Sequence, residues 1–89
     1  MSDIHQTHDG VVKRLKRAHG HLHKIISMIE EDRPCTEVAQ QLQAVESAVR
    51  KAKQTFIRDH IDHCLEDQLK EGPAATAVLA DFKQIAKYL

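Results

Sequence analysis

Three side chains in this 89-residue chain could share one metal ion or one sulfur reaction: Cys35, His60 and Cys64. His60 and Cys64 are four positions apart, so on a helix both project from one face at a separation a single ion can bridge. Thiolate and imidazole are the soft and borderline donors that suit Cu(I), Zn(II) and, in planar geometry, Ni(II). Cys35 follows Pro34, with 24 residues between it and His60. Along an uninterrupted helix, at about 1.5 Å per residue, that separation is roughly 35–45 Å. One chain cannot close the three-ligand set alone. A second copy lying antiparallel can, and it creates two equivalent sites. The alternative chemistry for the same cysteines is a sulfur bridge between chains, formed without metal.

Charge is the second feature. Thirteen Lys and Arg balance thirteen Asp and Glu, yet the two signs are segregated. Between Asp9 and Glu30 there is no acid, while Lys13, Arg14, Lys16, Arg17 and Lys24 supply five positive charges; Arg50, Lys51, Lys53 and Arg58 follow later. Acids collect at Glu30, Glu31, Asp32, Asp62, Glu66, Asp67 and Glu71. In a symmetric assembly the basic stretches recur and could follow phosphate backbones. Lys13, Arg14, Lys16, Arg17, Arg50 and Lys53 are the candidate DNA contacts. No helix-turn-helix, zinc-finger or ribbon signature is visible, so DNA contact falls to the helix faces. Of His19, His21 and His23, only the outer two share a helical face, and a solvated or phosphate-facing role is expected for all three. His63 is expected to face solvent.

These residues need elements to position them. Val11, Leu15, Ala18, Leu22, Ile25 and Ile29 step 4-3-4-3-4, which predicts a helix over about 10–31. Asp32-Arg33-Pro34 interrupts it, and a second helix should begin at the proline. From Cys35 to Lys70 there is neither Gly nor Pro, and Val38, Leu42, Val45, Val49, Ala52 and Phe56 repeat the same steps, predicting one long helix. Gly72-Pro73 should end it, and Ala75, Val78, Leu79, Phe82, Ile85, Ala86 and Leu89 predict a third. No segment alternates with a period of two, so the expected class is all-α. Residues 1–9, with His5 and His8, read as a flexible arm, and 10–89 as one helical domain.

Aromatic residues make up 3% of the chain and Trp is absent, so the core is thin. A helix of some 30 residues has too few neighbours in so short a chain. The expected solution is an antiparallel four-helix-bundle dimer, with the third helix outside or joining dimers. The small size and the lack of a Gly-rich oxyanion loop exclude most enzymes. No run approaches the roughly 18 apolar residues of a membrane span, and the N-terminus lacks the apolar stretch of a secretory signal. The expected compartment is therefore the cytoplasm, where cysteines stay reduced.

Pro34-Cys35, 24 residues, His60, three residues and Cys64, together with RLKRAHG at 14–20 and QQLQAVESAV at 40–49, resembles the CsoR/RcnR family of metal-sensing bacterial repressors over about residues 10–89. The resemblance implies a disc-like homotetramer, a dimer of dimers, that holds operator DNA in the metal-free form and releases it on binding an inducer. In the copper-sensing branch the ligands are Cys, His and Cys, matching Cys35 of one protomer with His60 and Cys64 of the other. Nickel and cobalt sensors add an N-terminal ligand, for which His5 is the candidate and His8 the reserve. The sulfur-sensing branch implies a persulfide pair at Cys35 and Cys64. The formaldehyde branch pairs the first Cys with an N-terminal Pro, and residue two here is Ser2. Copper sensors often carry a Tyr before the first Cys, where this chain has Pro34. Cu(I) is the leading expectation and Ni(II) the alternative.

Overall fold

A computed structural model describes residues 4–71 and 75–89, with side chains over 8–63 and 77–89. Three helices follow one another, α1 (Ile4–Glu30), α2 (Cys35–Glu71) and α3 (Ala75–Ala86), with no strand among the described residues. The all-α expectation holds. Gly72-Pro73 lies outside the described residues.

The reversal between α1 and α2 takes four residues. Asp32 sits at φ 57°, the left-handed conformation that Asp tolerates better than most side chains. Its N–H donates to the Ile29 carbonyl at 3.1 Å and that of Arg33 to the Met28 carbonyl at 3.0 Å, satisfying two carbonyls at the end of α1. α2 then starts with the Val38 N–H donating to the Pro34 carbonyl at 3.1 Å. Proline lacks an N–H, and just before a helix none is needed. Arg33 and Glu37, 2.7 Å apart, close the corner.

α1 begins six residues earlier than its apolar periodicity predicts, so residues 4–9, expected as an arm, are helical. A tertiary contact supplies what the polar sequence lacks: the His8 ring stacks on Phe56 of α2, centroids 5.0 Å apart.

The stripe on each helix divides between two neighbours. Val11, Ala18, Ile25 and Met28 of α1 and Val45, Ala52 and Ile57 of α2 are buried in a narrow seam between the helices. Leu15, Leu22 and Ile29, and likewise Leu42, Val49 and Phe56, belong to the same stripes but stand 42–55% exposed. α3 packs on α2 and, among the described residues, not on α1. The result is a thin slab of 58 × 27 × 13 Å. Its radius of gyration is 17.9 Å, against about 12 Å for a compact chain of this length. Its surface of 6991 Å² exceeds the roughly 5,300 Å² usual for a folded monomer of this mass. A single copy leaves much of its apolar surface in water.

Candidate metal centre and nucleic-acid face

Cys35 is the first residue of α2, so the Asp32 reversal places it, and it is exposed. It borders a largely apolar cavity of about 440 Å³ lined by Ile29, Val38, Ala39 and Leu42, with Asp32 and Arg33 adding polar atoms. His60 stands 25 residues further along the same unbroken helix, about 37 Å away. It is half-buried, and its Nε2 lies 2.7 Å from Oδ2 of Asp81 on α3. A carboxylate that holds one ring nitrogen orients the other, as is usual for metal-ligating histidines. Cys64 is one turn beyond His60 on α2; its side chain and that of His5 lie outside the described residues.

Cys35 and His60 are therefore not brought together within one chain. Among the described residues no three His, Cys, Asp or Glu side chains converge to hold a metal ion. His63, expected to face solvent, is half-buried. It follows Ala52 by eleven residues, three helical turns, and so continues the line of the seam.

The basic residues separate by face. Arg14 and Arg17 of α1 line a groove of about 470 Å³ together with His21, Lys51 and the small residues Ala18, Ala44, Ser47 and Ala48. His21 Nε2–H donates to Gln41 Oε1 at 2.5 Å, tying α1 to α2 beside this groove. Lys13 and Lys16 are exposed on α1, Lys13 lying 3.9 Å from Asp9. Arg50 is exposed and 3.8 Å from Glu46. Lys53 does not join the groove; it borders an apolar cavity with Val12, Leu15, Val49 and Phe56. Sequence reasoning passed over Lys51 as a contact and Asp81 altogether. Small residues at 44, 47 and 48, seven, four and three positions before Lys51, mark the face on which it stands, a readable signal, whereas nothing in the sequence pairs Asp81 with His60.

The hairpin thus carries a thiol at one end, a carboxylate-held imidazole at the other and a basic groove on one face. Residues 7–88 match the metal-sensitive transcriptional repressor family, and the chain belongs to it. It is 39% identical over 77 residues to the copper-sensing transcriptional repressor RicR of Mycobacterium tuberculosis, covering 85% of this chain and 80% of RicR. It is 34% identical over 82 residues to the copper-sensing repressor CsoR of Bacillus subtilis, covering 89% and 81%. The structure superposes on the nickel-responsive transcriptional regulator InrS with a TM-score of 0.81 and 32% identity, covering 91% of each chain. The CsoR/RcnR resemblance holds, and the chain is a metal-sensing transcriptional repressor, a regulator rather than an enzyme.

Proposed function

We propose that two copies of this chain pair through α2, that Cys35 of one copy and His60 and Cys64 of the other bind Cu(I), and that binding releases operator DNA. The observation that carries this reading is the exposed series Leu42, Val49, Phe56, spaced by seven and centred on Val49. In a two-fold antiparallel pair centred there, residue i faces residue 98 − i, so Leu42 faces Phe56 and Cys35 faces position 63, between His60 and Cys64. Self-association and ligation then follow from one operation. α3, with Leu79 and Phe82 exposed, and the Tyr88 and Leu89 that follow it, also exposed, offer a further surface for joining dimers into a tetramer.

The donor set fits the ion. Two thiolates and one imidazole favour Cu(I) by softness, a largely apolar cavity borders Cys35, and Asp81 aims the His60 ring. Bound copper would supply a bond between protomers. The metal-free pair would hold operator DNA through Arg14, Arg17 and Lys51 in the groove, with Lys13, Lys16 and Arg50 at its margins. Linkage requires that DNA weaken metal binding by the factor by which metal weakens DNA binding. None of the described helices is long and apolar enough to cross a membrane; a repressor of this family would act in the cytoplasm.

The second reading, a Ni(II) or Co(II) sensor, is favoured by the early start of α1. His8 packs beside Phe56 and Asp59, so the helix turn before it, carrying position 5, reaches the level of His60. His5 would then add a fourth donor. A persulfide pair at Cys35 and Cys64 gives the Asp81–His60 contact no role.

Titration of the reduced protein with Cu(I) and Ni(II), followed by X-ray absorption, tests the choice. A three-coordinate copper site with two sulfurs and one nitrogen is expected; a planar four-coordinate nickel site retaining His5 moves the assignment to nickel. Cys35→Ala is expected to keep operator binding and lose release. A strictly monomeric protein in sedimentation, or loss of operator binding by Cys35→Ala in metal-free buffer, overturns the reading.

A further inference from the structure

We propose that His8 is a positioning residue: it ties the turn of α2 that bears His60 to the DNA-facing helix α1, and through this tie metal occupancy reaches the operator-binding residues. The inference rests on the repressor reading above. The buried seam begins at Val11, yet α1 continues N-terminally for nearly two more turns. Among the side chains described in those turns, the one that meets α2 is the imidazole of His8. Its ring stacks on Phe56 at 5.0 Å and 24°, and its Nε2 stands 3.8 Å from Oδ2 of Asp59. That carboxylate oxygen is buried without a hydrogen-bond partner among the described residues. Such an oxygen is costly to leave unmatched, so its facing imidazole is not incidental. At 3.8 Å the contact is within ion-pair reach but longer than a hydrogen bond, leaving about 1 Å of travel before it tightens.

Both anchors belong to the metal-ligating turn. Phe56 lies one turn before His60 and Asp59 is its immediate neighbour. A helical turn moves as a unit, so drawing His60 toward a second copy displaces Phe56 and Asp59 with it. On the other side, unbroken helix carries His8 to Arg14 and Arg17, about 9 and 14 Å away. Between them the seam sets Val11 against the small Ala52, with Ala18 just beyond Arg17, so a single methyl group on one partner at these levels interlocks little and resists a small slide weakly.

The test compares operator affinity in metal-free and Cu(I)-loaded protein for wild type, His8→Phe, which keeps the stack and removes the N–H, Asp59→Asn, and the double variant. Each single variant is expected to keep metal-free operator affinity and Cu(I) affinity within about threefold, while the ratio of the two operator affinities falls by about tenfold. The double variant should fall no further than the singles. An unchanged ratio in either single variant, or a double variant with twice the loss, overturns the tie. So does weaker operator binding with an unchanged ratio, which marks a purely structural contact. Loss of Cu(I) affinity in His8→Phe would make His8 a ligand instead. Failure of the wild type itself to release DNA with Cu(I) or Ni(II) is a different result: it rejects the repressor reading, and the tie falls with it.

Discussion

The two sides of the α1–α2 seam are built for different neighbours. On one, Leu15, Leu22 and Ile29 run beside Leu42, Val49 and Phe56 in two heptad lines with little polar interruption. On the other, Arg14, Arg17, His21 and Lys51 stand over a floor of alanines and a serine. The first side leaves apolar area in water and can meet a copy of itself, because a heptad line centred on one residue is its own complement. The second would repel a copy of itself and attracts phosphate. Only a seam of small and medium side chains separates the two, so a ligand that changes how the apolar sides meet can change the spacing of the basic ones. The proposed metal ligands sit at the ends of the apolar side, where a change in pairing would move them most.

The largest effect should come from placing a charge at the centre of the apolar side. Val49→Asp sets two carboxylates against each other across the proposed two-fold, costing about 4 kcal/mol or more of assembly, roughly a thousandfold in dissociation constant. Analytical ultracentrifugation should find monomers, and operator binding should disappear with the dimer. Val49→Cys should instead cross-link under oxidation, and its failure to do so would break the register centred on Val49.

Removing Asp81 acts on the end of that side without disturbing its pairing. Asp81→Ala should weaken metal binding by 10- to 100-fold, the usual range for losing a carboxylate that orients a ligating histidine. Metal-free operator affinity should be unchanged, as competition titration and fluorescence anisotropy can show together.

Arg14→Ala and Lys51→Ala test the basic side alone. Each should lower operator affinity by about tenfold and make the salt dependence shallower by about two per dimer, since each protomer loses one phosphate contact. Metal affinity should not change. Lys53→Ala, on the apolar side, should leave the salt slope as it was, and a shallower slope there would erase the distinction between the sides.

The smallest effect belongs to the corner that joins the helices. Asp32→Gly relieves the left-handed conformation and should stabilise the fold by about 0.5–1 kcal/mol after the greater flexibility of glycine is counted. Thermal melts should rise by a few degrees, with operator affinity unchanged.

Much of this molecule could be read before any coordinates. The 4-3 steps marked three helices, Pro34 marked the corner, and the absence of Gly and Pro from Cys35 to Lys70 kept α2 whole. That wholeness separates Cys35 from His60, because the rise per residue of a helix admits no shortcut. The apolar stripes read as single stripes, but each divides into a line buried within the hairpin and a line left outside. Periodicity gives a side chain's direction around its own axis and cannot say which of two neighbours lies there. For the same reason the groove took Lys51 rather than Lys53, residues two positions apart whose directions differ by more than half a turn of the helix.

What the chain's own order of residues determined is local: where helices start and stop, which positions carry thiol and imidazole, and how far apart a rigid helix must hold them. What only the tertiary structure decided is relational. Asp81 reaches His60 because α3 folds back on α2, and His8 keeps the first turns of α1 helical because Phe56 and Asp59 stand opposite. Contacts between distant segments depend on the angle and register at which helices pack, and those are set by the whole seam rather than by any one stretch of sequence.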